Sequence, residues 1–88
     1  MNIPLRKKVD ETSKTIGVPV EVIIHFIEEE WVRPIDREHL MLDEEDEARI
    51  GLISMLKSEF EVNDESVPII LHLLDQLHYF HHRLRALD

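Results

Sequence analysis

Apolar residues recur at helical spacing in four runs along the chain, separated by a glycine turn, a proline and an acidic turn. In the first run, Val9, Thr12, Ser13 and Ile16 form a thin inner face. It predicts a helix beginning near Lys8 to Asp10 and ending at Ile16. Asp10 and Glu11 stand near its positive end, and Gly17 supplies the left-handed residue on which helices commonly stop. The second run, Val20, Ile23, Ile24, Phe26, Ile27 and Trp31, predicts a helix over Pro19–Glu30. Pro19 suits the first helical position, where a missing N–H costs nothing. Pro34 closes that segment. Ile35–Leu42 reads as a turn with a short strand on its far side, a minimal wing, and Ile3–Leu5 as a short extended segment.

Asp43 then caps a third helix, with Asp46 at its third position. Ala48, Ile50, Leu52, Ile53, Met55, Leu56 and Phe60 give this helix a broad apolar face that ends near Glu61. Asn63–Ser66 form a capped turn. The fourth run, Val67–Leu87, tolerates Pro68 in its first turn and at ~1.5 Å per residue makes a helix about 30 Å long. The fold class is therefore mainly α: a helix-turn-helix with a minimal wing, followed by two longer helices. Residues 1–88 form one domain, with a winged unit over 9–42 and a helical hairpin over 43–88. Up to Leu74 the fourth helix is apolar nearly all round, which predicts burial on more than one side. One side meets the third helix. The other meets either a second copy, through Ile70, Leu74, Leu77 and Leu84, or a larger internal core of a monomer.

Charge changes the picture more than composition does. The formal net charge is −9, and it is unevenly spread. Residues 1–20 hold four bases against two acids, 21–47 eleven acids against two bases, and 48–88 six acids against four bases. The second helix, where a DNA reader carries Arg or Lys, has neither from Pro19 to Glu30. Such a field repels phosphates and attracts basic surfaces. The candidate partner-binding residues are Glu28, Glu29 and Glu30, with Asp43, Glu44, Glu45, Asp46 and Glu47. Two plainer readings stand beside that one: a solvated face, and acids placed to suit the third helix's dipole. Trp31 reads as a core anchor rather than a ligand platform.

The chain has no Cys and two Gly, which excludes thiolate sites and argues against a phosphate-cradling loop. With no activated nucleophile and with carboxylates clustered at one helix end, an enzyme is not expected. No cofactor is implied. Asp75, His78 and His82 follow one another on one helix face as possible metal ligands, but an exposed polar face carrying histidines explains them as well, so no metal site is assigned. The four histidines of the last helix also suit a pH response beside a dimer seam. No run reaches the ~20 apolar residues of a membrane span. MNIPLRKK lacks the apolar core of a signal peptide, so a cytoplasmic setting is expected.

Val9 to Pro34 resembles the helix-turn-helix of MerR-type regulators, through Glu11, Lys14, Gly17-Val18, Val20, Ile23, Phe26 and Trp31-Val32 leading to Pro34. That family usually has an Arg and two aromatics where this chain has Ile24, His25 and Phe26, and its wing carries Arg with a Gly-Tyr pair where this one has only Arg37. The second half is similar to the chaperone-modulator (CbpM-like) family. The likeness lies in VPIILHLLDQL over 67–77, in Leu42-Asp43 and in Phe60-x-Val62-Asn63, and spans roughly residues 9–87. The histidine-rich end, LHYFHHRL, departs from that family's Glu/Arg-rich ending. The resemblance implies a non-enzymatic modulator that binds the J-domain of a DnaJ-like co-chaperone and blocks its action on Hsp70. The partners expected are that J-domain and a second copy of the chain, with DNA binding disfavoured. A MerR-like DNA-binding regulator and a dimeric adaptor of unknown partner are the alternatives.

Overall fold

The computed structural model describes residues 7–87. Two short strands, β1 (Lys7–Lys8) and β2 (Met41–Leu42), pair antiparallel, with Lys7 opposite Leu42 and Lys8 opposite Met41. Four helices complete the chain: α1 (Val9–Ile16), α2 (Val20–Glu28), α3 (Glu44–Glu59) and α4 (Val67–Ala86). The mainly α class and the helix-turn-helix followed by two longer helices are as the sequence predicts. The suggested segment Ile3–Leu5 lies outside the described residues.

The turn between α1 and α2 is made by Gly17. Its φ of 72° is left-handed, and its N–H donates to the Ser13 carbonyl at 2.9 Å. Val18 then drops into the core, and the Pro19 carbonyl accepts from both Val22 and Ile23 at 3.1 Å. Pro19 is thus the cap of α2 rather than its first helical residue.

At its other end α2 stops at Glu28, two residues before the acidic run ends. Glu30 takes a left-handed φ of 62°. Glu30 N–H donates to the Ile27 carbonyl and Trp31 N–H to the Phe26 carbonyl, both at 3.0 Å. This is the paired bonding of a helix C-terminus that normally uses glycine. The aromatic contact between Trp31 and Phe26, with centroids 5.7 Å apart, supplies the apolar packing across the helix end that commonly accompanies this bonding.

The wing is smaller than a hairpin. A single antiparallel bridge joins Asp36 to Met41, and the strand that contains Met41 pairs with β1 instead. Asp36 holds the turn through its carboxylate, which accepts from the His39 N–H at 3.0 Å. Beyond the wing, α3 begins with the expected reciprocal cap. Asp46 N–H donates to Asp43 Oδ1 at 2.8 Å, and Asp43 N–H to Asp46 Oδ2 at 3.1 Å. It ends at Glu59, short of Glu61, because Glu61 is left-handed and Val62 N–H turns back to the Leu56 carbonyl.

The core draws on all four helices and on β2: Val9 and Thr12, Ile23, Phe26 and Ile27, Leu42, Ile50 and Ile53, Val67 and Leu71, with Val32 from the loop after α2. From α4 only Val67 and Leu71 enter it, and every described residue from His72 onward is exposed. The line Val67–Leu71 continues outward, at spacings of four and three, through Asp75, His78 and His82. One face of α4 thus changes from apolar to polar where the helix leaves the body.

Candidate functional site

Trp31 organises the surface that the acids share. It is 5% exposed, and its ring meets His25 edge-on at 5.6 Å. The Lys57 ammonium lies 5.7 Å from its centroid. Its carbonyl accepts from Arg49 Nε at 2.6 Å. Arg49 also reaches Asp75 at 3.3 Å and so ties α3 and α4 to the end of α2.

Around this residue two hollows open. One, of about 410 Å³, lies between the Trp31 loop, the start of α3 and the first turns of α4. Its walls are Glu30, Trp31, Arg33, Glu45, Asp46, Arg49, Pro68, Leu71, His72 and Asp75. The other, of about 400 Å³, shares Glu30, Trp31, Arg33 and Pro68 and adds Glu29, Asp64 and Glu65. Together they form an acidic cleft with an apolar floor of Trp31, Pro68 and Leu71. Seven carboxylates, Glu29, Glu30, Glu45, Asp46, Asp64, Glu65 and Asp75, face two guanidinium groups, Arg33 and Arg49.

The acids are not equivalent. The Lys57 ammonium bonds to the Asp64 carboxylate and, with His25 at 3.5 Å, holds it below the usual carboxylate range against a smaller effect of burial. Partial burial pushes the Asp46 carboxyl up, opposed by the Asp43 N–H it accepts from. In the wing the His39 backbone N–H, followed by the His39 ring, lowers Asp36. Glu30 engages two of the wing-side cations, its carboxylate lying 3.8 Å from Arg37 and its carbonyl accepting from Arg33 Nε at 3.3 Å.

The structure brings together part of the sequence-derived set. Glu30 borders both hollows, Glu29 one, and Glu45 and Asp46 the other. Glu28 sits exposed on the last turn of α2, and Glu44 lies exposed on α3; neither lines the cleft, nor does the half-buried Glu47. Asp43 serves the helix cap. Sequence reasoning missed Arg33, Arg49, Asp64, Glu65, His72 and Asp75 as cleft residues. The Leu71 and Asp75 spacing, one turn apart on α4, was the available signal.

The seam residues proposed for self-association lie on the free side of α4. Ile70 is half-buried, Leu74 is 37% exposed, Leu77 66% and Leu84 65%. Leu73 and Phe80 belong to the same stripe, at 58% and 57%. Among the described residues no group of three or more His, Asp or Glu side chains is placed to hold a metal ion, and no helix is long and apolar enough to cross a membrane.

Residues 8–88 match the family model described as MerR HTH family regulatory protein. No curated protein matches the chain.

Proposed function

Because the chain belongs to the MerR HTH family of regulatory proteins, we propose that it regulates by binding a basic protein, the J-domain of a DnaJ-like co-chaperone, and that it blocks that co-chaperone's action on Hsp70. It acts without catalysis, as a bacterial cytoplasmic homodimer. The observation that carries this reading is the cleft around Trp31. Its seven carboxylates and apolar floor suit a cationic, amphipathic helix, where charge complementarity speeds encounter and sets orientation. The helix that reads DNA in such folds weighs against the DNA alternative: α2 carries no Lys or Arg, and phosphate contacts provide most of DNA affinity. Arg33 and Arg37 are engaged by Glu30.

Self-association through α4 completes the proposal. The stripe Ile70, Leu73, Leu77, Phe80, Leu84 and Leu87 is spaced three, four, three, four, three, the same in either direction. An antiparallel pair therefore matches Ile70 with Leu87, Leu73 with Leu84 and Leu77 with Phe80 of the second copy, the self-complementary arrangement a two-fold contact needs.

The test is a titration of the full chain with a J-domain at ~50 mM and ~300 mM salt, where screening lengths differ by more than twofold. A complex that weakens with salt, and weakens further with Glu30→Lys and Glu45→Lys together, agrees with the proposal. No complex at low salt overturns it. A shift of bulk DNA by the same protein at low salt transfers the assignment to the DNA reading.

A further inference from the structure

We propose that His78 and His82 form a chelating site on α4 for a borderline divalent transition-metal ion, Zn²⁺ rather than Mg²⁺ or Ca²⁺. The two residues stand four apart in a continuous helix, so their side chains leave the same face one turn above each other. Their rings already touch, with centroids 4.5 Å apart and planes at 79°. Both are exposed. Two imidazole nitrogens converging from this spacing reach one ion at the usual Zn–N length of about 2.0–2.1 Å after small rotations of the rings. Nitrogen ligands favour zinc, copper and nickel over the oxygen-seeking Mg²⁺ and Ca²⁺.

Three of the other histidines differ. His25 leans on Asp64 at 3.5 Å and His39 on Asp36 at 3.0 Å, and each therefore begins with a carboxylate partner. His72 lies against the cleft, with Gln76 where a second histidine would stand. Asp75 sits one turn inward on the same face as His78 and His82, but it is held by Arg49 at 3.3 Å. Water therefore takes the remaining positions around the ion. The pair also lies away from the apolar stripe of Leu73, Leu77, Phe80 and Leu84, so self-association leaves it accessible.

Binding clips adjacent turns of a helix segment whose described residues are all exposed in the single chain, so an ion bound here raises helicity and protection of the outer part of α4. Protons compete for the same nitrogens, and affinity falls on acidification.

The experiment is calorimetric titration of the full-length, untagged chain with ZnCl₂, read alongside circular dichroism. Saturable binding of one ion per chain, a gain in helicity, and weakening on the order of tenfold or more in both His78→Ala and His82→Ala are expected, with His72→Ala unchanged. Equal binding by His82→Ala and the parent, or zinc binding that leaves helicity unaltered, overturns the site. Neither readout involves the J-domain, so its outcome is separate from that of the proposed function.

Discussion

Thr12 provides the sharpest stability test. It is 0% exposed in the first helix, and its hydroxyl is a buried side-chain polar atom without a hydrogen-bond partner among the described residues. A buried, unpaired hydroxyl costs about 1–3 kcal/mol. Thr12→Val replaces that oxygen with a methyl of nearly the same size, so the packing of this buried position is kept while the desolvation cost disappears. The β-branched shape stays, and helix propensity changes little. The expected gain is about 1–2 kcal/mol. In a domain of 60–100 residues each kcal/mol moves Tm by about 4–8 °C, so the midpoint rises by roughly 5–15 °C. Thr12→Ser keeps the hydroxyl and deletes the methyl, and is expected to lose about 1 kcal/mol. The assay is thermal unfolding of the three proteins at one fixed concentration, since association shifts apparent midpoints. A Val variant no more stable than the parent refutes the reasoning, because the hydroxyl must then be making a bond worth as much as its burial costs.

Other perturbations have equally definite signs. Gly17→Ala meets no atom within 4 Å of the added Cβ, so its cost is the left-handed backbone alone, about 1–2 kcal/mol by chemical denaturation. Asp64 titrates below the usual carboxylate range in the folded state, so the stability it contributes is present above the unfolded value and is lost as pH falls through the folded one. Asp64→Asn is therefore expected to flatten the decline of stability below about pH 4, measured by urea melts across the acid range. Leu77→Glu, at the centre of the α4 stripe and already 66% exposed, is expected to leave the fold intact and abolish self-association in sedimentation; a dimer that survives it moves the seam elsewhere.

Local chemistry made much of the fold legible. The Gly17 turn, the Asp43–Asp46 reciprocal cap and the helical spacing of Ile23, Phe26 and Ile27 are set by neighbours within four residues, and each is found where the sequence puts it. The end of α2 was misjudged because Glu30 occupies a conformation usually marked by glycine, and the packing of Trp31 on Phe26 that compensates is visible only in the fold. The same limit applies to the wing, since pairing of Met41–Leu42 with Lys7–Lys8 joins residues far apart in the chain. In the cleft, the acids before Trp31 and at the start of α3 were evident as runs of charge. Their meeting with Asp64, Glu65 and Asp75 depends on how α4 returns past α3, which the Arg49–Asp75 pair fixes over 26 residues of separation. Periodicity carries no information at that range.

The change of character along one face of α4 has a dynamic consequence. Past Asp75 every described residue of α4 is exposed, and an isolated helix of about a dozen residues is marginal in water. Amides of the last three turns should therefore exchange with solvent through local opening, at free energies far below that of global unfolding. Whatever covers this segment determines how much of it is ordered, so the length of helix becomes a gauge of occupancy that a partner, a second copy or a bound ion can each turn up.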